Sequence, residues 1–92
     1  MANYVFSYDL NGQRPTHDEM DEHLEKSGWS VGRVLETVWY IGTDSDSAAV
    51  TKYATSILSD NDSYVVVTAS YMEFENLLTD EGSLQRAWAS HL

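Results

Sequence analysis

The 92-residue sequence predicts an α+β domain in the order strand, helix, strand, strand, helix, strand, with an appendage at the C-terminal end. Three observations predict it. Aromatic and β-branched runs at residues 3–9, 29–42 and 64–69 read as strands. Two helical patterns, each preceded by capping residues, alternate with those runs. Asn, Asp and Gly clusters separate the segments as turns do.

The first strand covers residues 3–9 and ends at Asp9, just before the turn pair Asn11-Gly12. Thr16 then caps a helix, and Glu19 three residues on completes a capping box. Asp18 and Glu19 lie where the helix dipole favours negative charge. The helix is expected to reach Lys26 or Ser27 and to stop at Gly28. Its apolar face is thin, with Met20 and Leu24 flanked by His17, His23 and Ser27. Asp18, Glu19, Asp21, Glu22 and Glu25 occupy the rest, so the helix lies half in solvent.

Residues 29–42 carry apolar side chains in both strand registers. Val31, Arg33 and Leu35 share one side; Val34, Glu36 and Val38 share the other. A break or bulge near Glu36-Thr37 resolves this into two short antiparallel strands. Residues 38–41 are expected to be buried on both sides. Residues 43–47 cap a second helix, with Asp44 and Asp46 at its positive end. Val50, Tyr53, Ala54, Ile57 and Leu58 form its apolar stripe. Asp60-Asn61-Asp62 is a turn. The continuous apolar run at 64–69 suggests a central strand. In the tail, Met72, Phe74, Leu77 and Leu78 suggest a short edge strand or a helical turn. Gly82 is a break, and 84–92 read as a terminal helix with Leu84, Ala87, Trp88 and His91 on one side. No repeat, low-complexity tract or linker divides the chain. It is one domain with a core at about 3–69 and an extension at 70–92.

This order is the split βαβ, or ferredoxin-like, arrangement. Both helices then pack on one face of the sheet. The other face is left open, and Tyr4, Phe6, Tyr8, Val38 and Tyr40 are the candidates to line it. Exposed apolar faces of that size mark interaction sites, so a homodimer is expected.

Composition narrows the function. Fifteen acidic residues face five basic ones, for a net charge of −10. Such a surface repels nucleic acid over a Debye length of ~8–10 Å, which disfavours direct nucleic-acid binding and favours basic protein partners or divalent cations. The chain has no cysteine, which removes disulfides, thiolate catalysis and Cys-based zinc sites. No signal-peptide pattern is visible and no apolar run approaches the ~20 residues of a membrane helix. A cytoplasmic protein without membrane association is expected. Phosphate-binding glycine loops, nucleophile elbows and metalloprotease motifs do not occur.

Four segments together resemble a known family. These are Tyr-Val-Phe-Ser-Tyr-Asp-Leu at 4–10, a helix ending at Gly28, Arg-Val-Leu-Glu-Thr-Val-Trp at 33–39, and Asp-Asn-Asp-Ser-Tyr-Val-Val-Val at 60–67. In order and spacing they resemble the SinR-like small proteins. These are relatives of the second CRISPR-associated family, the small adaptation subunit, and more distantly of the VapD toxins. The resemblance spans roughly residues 3–69 and implies a ferredoxin-like homodimer. In the nuclease members of that wider group an Asp at the end of the first strand holds a divalent cation at the dimer interface, and Asp9 matches that position. Mg²⁺ or Mn²⁺ would be the implied ion. The chain departs from those nucleases in its charge: Arg14, Lys26, Arg33, Lys52 and Arg86 are scattered and form no basic groove for a phosphate backbone.

Asp9 therefore has two readings, a metal ligand or a turn residue bonding to the amides of Asn11 and Gly12. His17 and His23 are six residues apart and do not share a helix face, although His17 and Asp21 do. Trp29, Trp39 and Trp88 read as core or dimer anchors rather than base-stacking platforms. Three functions follow. The first is a non-catalytic dimeric interaction module of a mobile-element or defence-related system, with no cofactor. The second is a metal-dependent nuclease using Asp9. The third is an acidic mimic of nucleic acid, in which Asp18, Glu19, Asp21, Glu22 and Glu25 form the strip that a basic partner reads.

Overall fold

The computed structural model describes residues 2–92. The chain forms β1 (Ala2–Asp9), α1 (His17–Glu25), β2 (Ser30–Leu35), β3 (Val38–Thr43), α2 (Ser47–Ala54), β4 (Ser63–Ala69) and α3 (Glu81–Ser90). The four strands make one antiparallel sheet in the order β2-β3-β1-β4. The fold is α+β, as the sequence predicts.

Local chemistry sets the element ends. The Thr16 hydroxyl accepts from the Glu19 amide while the Glu19 carboxylate accepts from the Thr16 amide, so the capping box is complete. Gly28, at φ 82°, takes the left-handed conformation that lets the chain leave α1 and enter β2. The register slips between Arg33 and Leu35 as β2 pairs with β3. That irregularity lets Arg33 face the helices while Val34 is buried on the opposite side. Helix α2 is shorter than its apolar stripe. It ends at Ala54 because the Thr55 hydroxyl bonds back to the Thr51 carbonyl and the next turn tightens, with Leu58 N–H donating to Thr55 O.

Strand pleating sorts the side chains onto two faces. Tyr4 pairs with Ile41 and Phe6 with Trp39, so these four share the face beneath the helices. There they join Met20 and Leu24 of α1 and Val50 and Ala54 of α2 in the main core. The expectation that Tyr4, Phe6 and Tyr8 line an open face is thus corrected. They are the centre of the core, because the two helices cover the face to which the even-numbered β1 residues point.

The opposite face carries Asn3, Val5 and Ser7 of β1, paired with Gly42, Tyr40 and Val38 of β3. The tail covers only the β2–β3 half of it. Val34, Tyr40 and Leu84 are buried together, with Val38, Met72, Phe74, Leu77, Ala87 and Trp88 packed around them. Tyr40 and Val38 are therefore not free for a partner either: α3 and the 72–77 segment lie over them. The tail contains no strand between β4 and α3; residues 70–80 cross irregularly and bond to the β2 backbone where Leu78 N–H donates to Val34 O at 3.1 Å. Buried Asn3 fastens α3 down. Its amide donates to the Trp88 carbonyl at 3.1 Å and its side-chain oxygen accepts from the Tyr40 hydroxyl at 2.5 Å.

Two further expectations are overturned. Gly82, read as a break, is the second residue of α3, which Asp80 caps through the Ser83 amide. The apolar run of β4 predicts a central strand, yet β4 is an edge strand and mostly exposed. The central strands are β1 and β3. β3 already fills one side of β1, so β4, arriving after α2, adds to the other side and becomes the boundary. Only Val66 of its valines reaches the core.

Candidate functional site

The β1–β4 half of the second face is the surface that the chain does not cover with its own tail. Val5 pairs with Val67 and Ser7 with Val65 across it. Val65 is 52% exposed and Val67 47%. No residue of β4 is charged and none is proline. Natural edge strands are normally blunted by Lys, Pro, a bulge or a covering segment. Here the tail gives such cover to β2, whereas the outer backbone of β4 pairs with no strand among the described residues. An apolar, uncharged edge on a chain of net charge −10 is a local exception to the repulsion that keeps such chains apart.

Asp9 stands at the rim of this surface. It pairs with Ser63 at the end of β4 and is exposed, beside a shallow pocket of about 220 Å³ lined by Ser7, Tyr8, Ser63, Tyr64 and Val65 as well. The turn role expected of Asp9 is carried by another residue. Asp62 accepts from the Asn11 amide at 2.7 Å and from the Ser59 amide at 2.8 Å. These amides, Asn11 first, hold the Asp62 carboxyl below the usual aspartate value. No sequence pattern points to this clamp, because the two loops it joins are about fifty residues apart. Asp9 itself makes no side-chain hydrogen bond among the described residues. Nor do three His, Asp or Glu side chains gather anywhere in that range to hold a metal ion.

The acidic face of α1 is less bare than the sequence suggests. Glu19 pairs with Arg14, Glu22 with Lys26, and Asp21 with Arg33 at 3.6 Å. Asp18 and Glu25 complete the strip without an ion pair among the described residues. Such surface pairs add little to stability, but they set three cations against the five carboxylates of the strip. His23 is absorbed structurally. Its ring stacks on Tyr53 at 4.2 Å, and its Nε2 lies 2.7 Å from the Tyr53 carbonyl while the Tyr53 hydroxyl donates to the His23 carbonyl. Trp39 is buried in the main core, Trp29 packs against that core, and Trp88 packs over Tyr40.

The Glu19 carboxylate makes the capping box testable by pH. The Arg14 guanidinium, then the Thr16 amide, pull its pKa down to about 2. A depressed folded pKa gives stability that is complete above the ordinary glutamate value of 4.5 and is lost as pH falls towards about 2. A carboxyl-carbon NMR titration is expected to place the Glu19 midpoint well below the ordinary glutamate value of 4.5, and Arg14→Ala to move it up. An ordinary midpoint in the native chain would remove the ion pair from the cap.

No protein-family model matches the chain, and no curated protein matches it. No helix among the described residues is long and apolar enough to cross a membrane.

Proposed function

We propose that this chain is a ferredoxin-like, non-catalytic interaction module that works as a homodimer, of the kind found in mobile-element or defence-related systems. The strand order β2-β3-β1-β4 with α1 and α2 on one face supports the ferredoxin-like reading. The likeness of its segments to the SinR-like proteins supports the setting. The observation that carries the proposal is β4: a seven-residue, uncharged, valine-rich edge left open while the tail occupies the other half of the sheet. A second copy is the partner that fits. Antiparallel pairing of two β4 strands about a two-fold axis joins both sheets and brings Val65 and Val67 of each copy together. It also brings no charged side chain of β4 into the interface.

Sedimentation equilibrium across a concentration series tests this. The native chain is expected to be a dimer and Val67→Lys a monomer with an unchanged circular dichroism spectrum. The substitution is expected to raise the dissociation constant by roughly a hundredfold, because two-fold symmetry removes two valines and adds two ammonium groups. A native chain that stays monomeric at submillimolar concentration sinks the proposal.

The exposed, unengaged carboxylate of Asp9 favours a second reading, the divalent-metal nuclease. The proposed pairing bears on it directly. With β4 pairing centred on Val66, two Asp9 residues lie at opposite ends of the joined strands, six residues apart, or roughly 20 Å at ~3.3 Å per residue. They then share no ion. Calorimetric titration of Mg²⁺ or Mn²⁺ into native chain and Asp9→Asn separates the readings: binding lost in the variant supports a metal site, and no binding to a dimer supports the non-catalytic module. The third reading, an acidic mimic, loses ground to the ion pairs of Asp21, Glu19 and Glu22, and is tested by salt dependence of binding to a basic protein.

A further inference from the structure

The irregular segment of the tail and α3 enclose a pocket of about 240 Å³. Tyr71, Met72, Phe74, Leu84, Gln85 and Trp88 line it. Three of these six side chains are aromatic and a fourth is methionine. Leu84 is buried, while Met72, Phe74 and Trp88 are half-buried and packed against the small second core. The Trp88 ring lies 6.1 Å from that of Tyr40, so this wall is fixed by the sheet beneath it. Tyr71 differs from the rest. It is 75% exposed, so its place returns little burial to the fold. Its hydroxyl nevertheless donates to the Glu73 carboxylate at 2.8 Å.

The chemistry of this lining is selective. Its volume lies below the ~300–1,000 Å³ of sites for drug-sized ligands, so the group that enters is small. Aromatic rings present negative faces that attract a cation. Glu73, bonded to Tyr71, sets a full negative charge beside one of those rings. An anion is repelled by Glu73 and by the chain's net charge of −10. A metal ion needs several oxygen ligands, and the lining consists mainly of carbon. A primary ammonium brings three N–H donors that each need an acceptor, where the lining offers the Gln85 carboxamide and the Tyr71 hydroxyl. A quaternary ammonium has no N–H and an apolar methyl surface, so it gives up no hydrogen bond on entering and still meets the rings as a cation. The chain does not supply that cation itself. Arg86, the one basic residue of α3, donates to Ser83 at 3.2 Å and lies 3.9 Å from Asp80.

We infer that the Tyr71–Trp88 pocket binds a small quaternary ammonium group, the trimethylammonium head carried by free choline and by the side chain of trimethylated lysine. The pocket is complete within one chain, so the inference does not rest on the β4 dimer and either can fail alone. Nitrogen–proton correlation NMR reads it through the Trp88 indole signal, assigned by Trp88→Phe and followed at constant ionic strength. The probes are choline, an acetylated trimethyllysine amide, and the neutral alcohol in which a tert-butyl group replaces the trimethylammonium head of choline. Saturable movement of the Trp88 signal is expected with at least one of the two cations; which binds more tightly tells a free cation from a modified side chain. The neutral alcohol has the same shape without the charge and is expected to bind about fivefold more weakly or worse. Tyr71→Leu removes one ring and is expected to weaken the cation by a similar factor. Tyr71 is exposed, and an unchanged set of other amide signals certifies that the variant folds. A Trp88 signal that neither cation moves at high millimolar concentration overturns the inference. So does equal binding of the neutral alcohol, or cation binding that Tyr71→Leu leaves intact.

Discussion

Phe6→Ala is expected to lower the unfolding free energy by about 3–5 kcal/mol, the usual cost of truncating a buried aromatic side chain. Phe6 is 0% exposed. It sits on the central strand β1, opposite Trp39 on β3 and Val66 on β4. Its ring lies 5.6 Å from that of Tyr8 and 6.5 Å from that of Tyr64. Met20, Leu24, Val50 and Ala54 from the two helices join it in the same cluster, so the site has little room to collapse around a missing ring. Domains of this size are stable by only ~5–15 kcal/mol, and the variant is expected to be partly unfolded at ambient temperature. Urea denaturation followed by tryptophan fluorescence measures the change. A loss below about 1 kcal/mol would mean that β1 is not the centre of the core.

Gly42→Ala is expected to cost about 1–3 kcal/mol by overpacking, from the addition of a single methyl group. Gly42 is buried in β3, and a Cβ there would clash with the Tyr40 hydroxyl and stand 2.8 Å from His91 Nδ1. The hydroxyl has nowhere to retreat without giving up Asn3, the residue that also holds the Trp88 carbonyl. The added methyl therefore loosens α3 as well as β3. A double-mutant cycle separates the causes. In a Tyr40→Phe background the hydroxyl is gone, and the Gly42→Ala penalty is expected to shrink. An equal penalty in both backgrounds would place the clash elsewhere. Alkaline titration gives a second readout. Burial holds the Tyr40 phenol up to about 12 in the native chain. Its raised folded value means that stability, complete below the ordinary tyrosine value of 10.0, falls as pH climbs towards about 12. Loosening the tail is expected to lower that midpoint.

The dimer proposal draws on the same division of the sheet. Because the tail seals the β2–β3 half through Tyr40, Leu84 and Trp88, the β1–β4 half is the apolar surface that remains. A variant that frees the tail, such as Gly42→Ala, exposes a second apolar area and is expected to self-associate less specifically.

Much of the architecture was legible in the residues because it rests on local chemistry. The Thr16–Glu19 capping box, the Gly28 stop, the hairpin broken at Glu36-Thr37 and the stripe around Val50 each depend on neighbours within a few positions, and the element order follows from them. Tertiary contacts decided the rest. Alternation along β1 separates Tyr4, Phe6 and Tyr8 from Val5 and Ser7, but the choice of which set meets the helices is made by the packing of α1 and α2. The valine run of β4 is equally apolar at an edge or a centre; only the pairing of β3 with β1 leaves it at the boundary. Asp62 holding the loop after Asp9, and Trp39 and Asp21 both acting on Tyr8, join positions far apart in the chain. The sequence by itself determined the elements and their order, since helix caps, turns and periodicity are short-range. The tertiary structure alone decided which surface is bare and which polar groups converge, since burial depends on what every other segment covers.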